Sequence, residues 1–227
     1  MTKRLLVVLS TLSLLVSAQT APQLDMADEP HHSLLLKNER VRVFRLALKP
    51  QEATLPHKHD AFYVYFSLRP TKVSNEVKGR TPVLIELEPD DVHMSKGGFT
   101  VAERNVSPEP TEVFVIETIS VPKGDFDTPP HAFRYHDSAL GDLFETRGLR
   151  AYTVLLASGG RTEKHAEAYD RVMIALNDLT LLEDIAGRGR EELSMKAGEV
   201  RWFPRGEIHA TTNIGSSQAK FITFEFN

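Results

Sequence analysis

Apolar residues gather in short runs along this chain, many of them alternating with polar ones, and turn-forming residues separate the runs. "VRVFRLAL" (41–48), "AFYVYFSL" (61–68), "LRAYTVLL" (149–156) and "RVMIAL" (171–176) are rich in β-branched and aromatic side chains. That composition and a period of two predict strands. "TPVLIELEPDDVHM" (81–94) and "REELSMKAGEVRWF" (190–203) each predict two strands around a turn, at Pro89-Asp90 and Ala197-Gly198. "EVFVIETI" (112–119) and "KFITFEF" (220–226) predict closing strands. One segment, "ALNDLTLLEDIAGRG" (175–189), has helical composition, but its counterpart "SLRPTKVSNEVKGRT" (67–81) carries Pro70 and does not. The expected class is all-β, of the sandwich or jelly-roll barrel kind.

The strand pattern occurs twice. Placing His57 on His165 sets an offset of 165 − 57 = 108, and that offset holds without a gap. Arg42 then meets Arg150, Leu48 meets Leu156, Thr54 meets Thr162 and Leu68 meets Leu176. Gly79-Arg80 meets Gly187-Arg188, Gly98 meets Gly206, Asn105 meets Asn213 and Glu117 meets Glu225. The expectation is two tandem barrels related by duplication, over 36–119 and 144–227, with an arm over 19–35 and a connector over 120–143.

Composition narrows the function classes. With 41% hydrophobic and 26% charged residues the chain is ordinary globular material. It has no cysteine, which excludes disulfides, thiolate ligands and thiol catalysis. "MTKRLLVVLSTLSLLVSA" (1–18) has a basic start, an apolar run too short for a comfortable bilayer span, and small residues before Gln19. It is expected to be a secretory signal peptide cleaved after Ala18, which predicts a secreted or periplasmic protein. Cleavage removes Lys3 and Arg4, leaving 27 − 2 = 25 basic against 31 acidic residues, a net charge of −6. No basic stripe remains for nucleic acid, and no second apolar run predicts a membrane span.

The candidate chemistry lies in the second copy. His165 and Glu167 are two apart, so on a strand they share a face. His209 follows a Pro204-x-Gly206 turn on a later strand. Two histidines and one carboxylate with open positions suit Fe(II), and Mn(II) or Zn(II) also fit. The plainer alternative is that His165 and Glu167 pair with each other or with solvent at a strand mouth.

"GRTEKHAE" and "PRGEIHATTN" resemble the two motifs of the cupin superfamily. Gly198, Pro204, Gly206, His209 and Asn213 stand at the second motif's positions, and Gly159 and His165 at two of the first motif's. The resemblance covers nearly the whole chain after the leader, in duplicate, and so implies a bicupin of two jelly-roll β-barrels. It also implies a divalent metal held by two histidines and a glutamate of the first motif and the histidine of the second. This chain departs from that pattern. Glu167 replaces the second histidine of the first motif, and the motif's glutamate falls on Arg171 or Val172. In the first copy His57 and His59 keep the pair, but Tyr63 or Val64 takes the glutamate position and Val101 that of the last histidine. The first barrel is therefore expected to be degenerate, with His57 and His59 as a weak second site.

Arg171 and Tyr63 are further pocket candidates. A guanidinium at 171 would match an anionic substrate, with a surface arginine as the plainer reading. For Tyr63 the plainer reading is core filling. His31, His32, His93, His131 and His136 are read as solvated or locally hydrogen-bonded. The resemblance implies dioxygenation, decarboxylation or isomerisation of a small oxygenated molecule. The alternative is a non-catalytic bicupin that binds a sugar or other small ligand, or serves a structural or storage role. Expected partners are a small-molecule ligand or substrate and, in a homo-oligomer, further copies of the chain.

Overall fold

A computed structural model describes residues 24–89, 91–120, 124–127 and 135–227. The leader expected over 1–18, His131 and Asp90 of the first predicted turn lie outside these residues. The first half contains β1 (Leu24–Asp25), β2 (His32–Lys37), β3 (Val41–Leu48), β4 (His57–His59), β5 (Tyr63–Ser67), β6 (Thr71–Val77), β7 (Val83–Leu87), β8 (His93–Ser95), β9 (Phe99–Asn105) and β10 (Thr111–Thr118). The second contains β11 (Tyr135–Thr146), β12 (Leu149–Thr162), β13 (His165–Ala166), β14 (Asp170–Ala175), β15 (Leu179–Ile185), β16 (Gly189–Met195), β17 (Val200–Phe203), β18 (Ile208–Asn213) and β19 (Ala219–Phe226). One 3-10 turn, Met26–Asp28, is the helical element among the described residues.

The first half forms two five-stranded sheets, in the orders β1-β4-β9-β6-β7 and β2-β3-β10-β5-β8. The second half repeats this layout as one curled sheet, because β12 runs on past Leu156 until Arg161 pairs with Thr212 of β18. Registers agree at the same offset of 108. Thr111 faces Leu48 as Ala219 faces Leu156, Val73 faces Asn105 as Leu181 faces Asn213, and Tyr63 faces Ser95 as Arg171 faces Phe203. Strand β2 crosses the boundary drawn at residue 35 and β11 crosses the one drawn at 143. Arm and connector thus each supply an edge strand, whose Leu36, Leu143 and Phe144 pack on the core.

The residues matched across the repeat answer equivalent buried needs. Asn105 donates from Nδ2 to Leu48 O and Glu109 O, and Asn213 donates to Leu156 O and Ser217 O. Thr54 Oγ1 accepts from Glu103 N at 2.8 Å, and Thr162 Oγ1 accepts from Thr211 N at 2.9 Å. Arg42 binds Glu117 as Arg150 binds Glu225. Each closes a buried backbone or carboxylate group that would otherwise cost free energy. Gly98 and Gly206, at φ of +80° and +86°, take the left-handed conformation that a side chain resists.

The segment with helical composition is strand. In β15, Leu179, Leu181, Glu183 and Ile185 are buried and the residues between them are partly exposed. Period-two burial against the barrel outweighs the helix propensity of Leu and Glu.

The two halves share one core. Val43, Val64, Phe66, Phe114 and Ile116 of the first pack with Leu149, Val172, Ile174, Ile222 and Phe224 of the second. The Phe66 ring stacks on Phe114 at 5.4 Å and lies 6.2 Å from Phe224. Arg40 Nε pairs with Asp170 Oδ2 across the same boundary at 3.0 Å.

Candidate metal centres

In the second barrel the short strand β13 pairs with β18, and His165 lies directly opposite His209. Their rings are 4.7 Å apart. Glu167 follows β13, where its N donates to Glu207 O and its O accepts from Gly206 N. The Pro204-x-Gly206 turn thereby fixes the carboxylate as well as aiming His209. Glu167 Oε1 is 3.1 Å from His165 Nε2 and 2.8 Å from His209 Nε2. All three expected ligands thus converge, and all are buried or nearly so. Neighbouring ligands at right angles on an ion with bonds near 2.1 Å stand about 3.0 Å apart, so both histidine spacings to Glu167 fit adjacent positions on one ion.

Each donor is oriented from behind. His165 Nδ1 lies 2.8 Å from Glu163 O. His209 Nδ1 lies 2.7 Å from Glu183 Oε2, and Thr211 Oγ1 donates to the same carboxylate. Such outer contacts hold the Nε2 atoms toward a shared centre. Glu183 was missed in the sequence. It comes from β15, and only the register that faces Ile185 to His209 brings it near.

Arg171 is buried, which overturns its reading as a surface arginine. Its Nη2 lies 2.9 Å from Glu167 Oε1 and 3.1 Å from His209 Nε2, and its guanidinium carbon sits 4.8 Å from the Phe203 ring centroid. Burial alone would raise the Glu167 carboxyl. The hydrogen bonds of His165 and His209 and the charge of Arg171 outweigh it and hold the group well below the usual carboxylate range. Burial would likewise lower His209, but Glu167 and Glu183 on its two ring nitrogens raise it. A proton on His209 Nε2 satisfies Glu167 and faces Arg171. Without that proton the ring accepts from Arg171 and sets two lone pairs against each other at Glu167. Beside the cluster lies a small pocket lined by Tyr152, Thr162, Arg171, Thr211 and Thr223 among others.

The first barrel places a small, mainly apolar pocket at the equivalent position, with Tyr63, Tyr65 and Glu103 on its wall. Tyr63 is buried against the His59 ring at 4.4 Å, and burial raises its phenol above the ordinary range. His57 and His59 are fully buried, with Nε2 atoms 3.0 Å apart. Burial and the neighbouring His57 and His32 push His59 down to about 3. Val101 faces His57, as the repeat requires, and supplies no ligand. Two groups that the sequence did not assign complete the surroundings. Glu103, two residues beyond Val101 on the same strand face, places Oε2 3.4 Å from His57 Nε2. His32, read as solvated or locally bonded, is buried, with Nε2 3.8 Å from the same oxygen. Its Nδ1 lies 2.7 Å from Glu29 Oε2. Of the other histidines, His93 stacks on Tyr65 at 5.3 Å, and His136 is exposed beside Glu163.

No protein-family model matches the sequence, and no curated protein sequence matches it either. Solved structures do resemble it. AerE from Microcystis aeruginosa is 14% identical, with a TM-score of 0.61 over 88% of this chain and 98% of that one. A variant of oxalate decarboxylase from Bacillus subtilis is 10% identical, with a TM-score of 0.60 over 86% and 72%. Salicylate 1,2-dioxygenase from Pseudoaminobacter salicylatoxidans, solved with gentisate, is 11% identical, with a TM-score of 0.57 over 83% and 68%. These likenesses show that the chain has the cupin fold.

Proposed function

We propose that this chain is a bicupin metalloprotein that holds a divalent ion on His165, Glu167 and His209 and acts on a small oxygenated molecule. The observation that carries the reading is the convergence of two imidazole Nε2 atoms on one buried carboxylate oxygen, at 2.8 and 3.1 Å. Oxalate decarboxylase, whose Mn(II) centres are described, and salicylate dioxygenase share the fold and support a metal-dependent reading. A bound ion would supply Lewis acidity or redox capacity, with coordination positions left for a ligand. The remaining roles belong to the chain's own residues. His209 is held by Glu183, and Glu167 is held by the backbone of the 206–207 turn. Arg171 lines the pocket beside the triad and presents a guanidinium whose fork matches a carboxylate. The substrate class is therefore a small oxygenated anion, in a dioxygenation, decarboxylation or isomerisation.

The common offset of strand registers supports descent of the two barrels from one by duplication. We carry forward residues 1–18 as a secretory leader, which places the mature chain in the periplasm or outside the cell. Amino-terminal sequencing of the exported protein tests this, with Gln19 as the expected first residue.

A second reading rests on Arg171. Its guanidinium already neutralises Glu167 at 2.9 Å, at the sequence position where the cupin motif has its glutamate ligand. On this reading the barrel binds a sugar or another small ligand, or is structural, without an ion. Metal analysis of the purified full-length chain separates the two. The metal reading requires one equivalent that is lost in His165→Ala and His209→Ala variants. The second reading requires that these substitutions leave the metal content unchanged.

A further inference from the structure

We infer that the first barrel holds a second divalent ion, on His32, His57 and Glu103. This set is not supplied by the repeat, which offers Val101 where the second barrel has His209. It comes from three strands. His32 is on β2, His57 and His59 are on β4, and Glu103 is on β9.

Two ring nitrogens are committed outward. His57 Nδ1 donates to Leu55 O at 2.9 Å, and His32 Nδ1 donates to the Glu29 carboxylate at 2.7 Å. With those Nδ1 atoms engaged, both Nε2 atoms face inward, that of His57 also 3.0 Å from His59 Nε2. Glu103 Oε2 faces both, 3.4 Å from His57 Nε2 and 3.8 Å from His32 Nε2. Neither His32 Nε2 nor Glu103 Oε2 has a hydrogen-bond partner, although both atoms are buried. An unmet buried polar atom costs about 1–3 kcal/mol, and more when charged. Lone pairs set against a carboxylate oxygen repel each other unless a cation or a proton lies between them.

The spacing suits an ion. Ligand atoms about 2.0–2.1 Å from a tetrahedral centre stand roughly 3.3–3.4 Å apart. The Glu103–His57 distance meets that value, and the ligand atoms of His32, His57 and Glu103 all lie within 4.8 Å of one another. His59 Nε2 lies 3.0 Å from His57 Nε2, beside the three-residue group and not part of it. An imidazole and carboxylate set of this shape favours Zn(II).

The test uses the full-length chain, stripped with a chelator and then titrated with Zn(II), with bound metal counted after gel filtration. A His165→Ala/His209→Ala double variant isolates the first barrel. It should bind one Zn(II) per chain, and adding either Glu103→Gln or His32→Gln should abolish that equivalent or weaken it by at least a hundredfold. Glu103→Gln keeps side-chain shape and the backbone bond to Thr54, so the stripped variant should melt no lower than its parent. Two variants on different strands keep the result clear of one folding defect. Binding of no Zn(II) by the double variant overturns the inference, since a proton then satisfies the cluster. So does binding that survives both added substitutions. If only the second-barrel reading is wrong, wild type and double variant bind Zn(II) equally and Glu103→Gln still removes it.

Discussion

Arg171 Nη2 lies 2.9 Å from Glu167 Oε1, inside the same cluster of atoms that brings His165 and His209 onto that oxygen. A fixed positive charge there stabilises the ion-free site and opposes a divalent ion. Arg171→Gln should therefore act in two directions. Breaking the buried pair should cost the stripped protein about 3–5 kcal/mol, seen in denaturant unfolding. Affinity for Mn(II) or Zn(II) should rise by on the order of tenfold or more, as one repelling charge is removed. An unchanged or weaker metal affinity would contradict repulsion of the ion by Arg171.

Glu183 holds His209 from behind at 2.7 Å and touches no other ligand of the triad. Glu183→Gln should lower metal affinity at the second barrel by roughly 10–100-fold. Competition with a chelating dye measures it. A merely structural glutamate would lower the melting temperature and leave the affinity alone.

The His209 part of the pH dependence has opposite signs without and with an ion. In the stripped protein, Glu167 is held below its ordinary value of 4.5 and His209 above its ordinary value of 6.5. The Glu167 contribution is present above 4.5 and is lost as pH falls through the lower folded value. The His209 contribution is present below 6.5 and is lost as pH rises through the higher folded value. The part of the stability that comes from this pair is thus greatest between those limits, and a His209→Gln variant should lose the alkaline decline. With metal bound the His209 sign reverses, because protons compete for the imidazoles and affinity falls with acidification. Melting curves across pH, with and without chelator, report both.

The joint between the barrels is a packing contact. A Cβ at Gly198 would sit 2.8 Å from Phe114 Cζ, and the residue has φ of +81°. Gly198→Ala must therefore both strain the backbone and push against the shared core. It should destabilise by about 1–3 kcal/mol, measured by chemical denaturation. Phe66→Ala, which empties the stack between the halves, should cost about 3–5 kcal/mol.

Much of this was legible in the sequence, for physical reasons particular to each element. Period-two burial wrote the strands directly, and the ungapped offset carried Thr54, Asn105 and Glu117 onto residues with the same buried partners. His165 and His209 were legible because a two-residue spacing and a Pro-x-Gly turn are local features. Glu183, His32 and Glu103 were not. Each reaches its cluster through strand register or an edge strand, and the first-barrel cluster has no counterpart in the motif. The offset led to Val101, while the carboxylate stands one alternation further along the same face of β9, at Glu103. Arg171 stood as a pocket candidate beside a plainer surface reading, because a lone arginine in a strand carries no sign that a carboxylate four residues earlier turns in to meet it.

The central claim is the ion on His165, Glu167 and His209. Its most direct test is the metal content of the full-length chain, expressed with iron, manganese and zinc supplied, compared with His209→Ala prepared identically. The variant should lose one equivalent per chain while Glu103→Gln still fills the second barrel. Equal metal content in wild type and His209→Ala would contradict it.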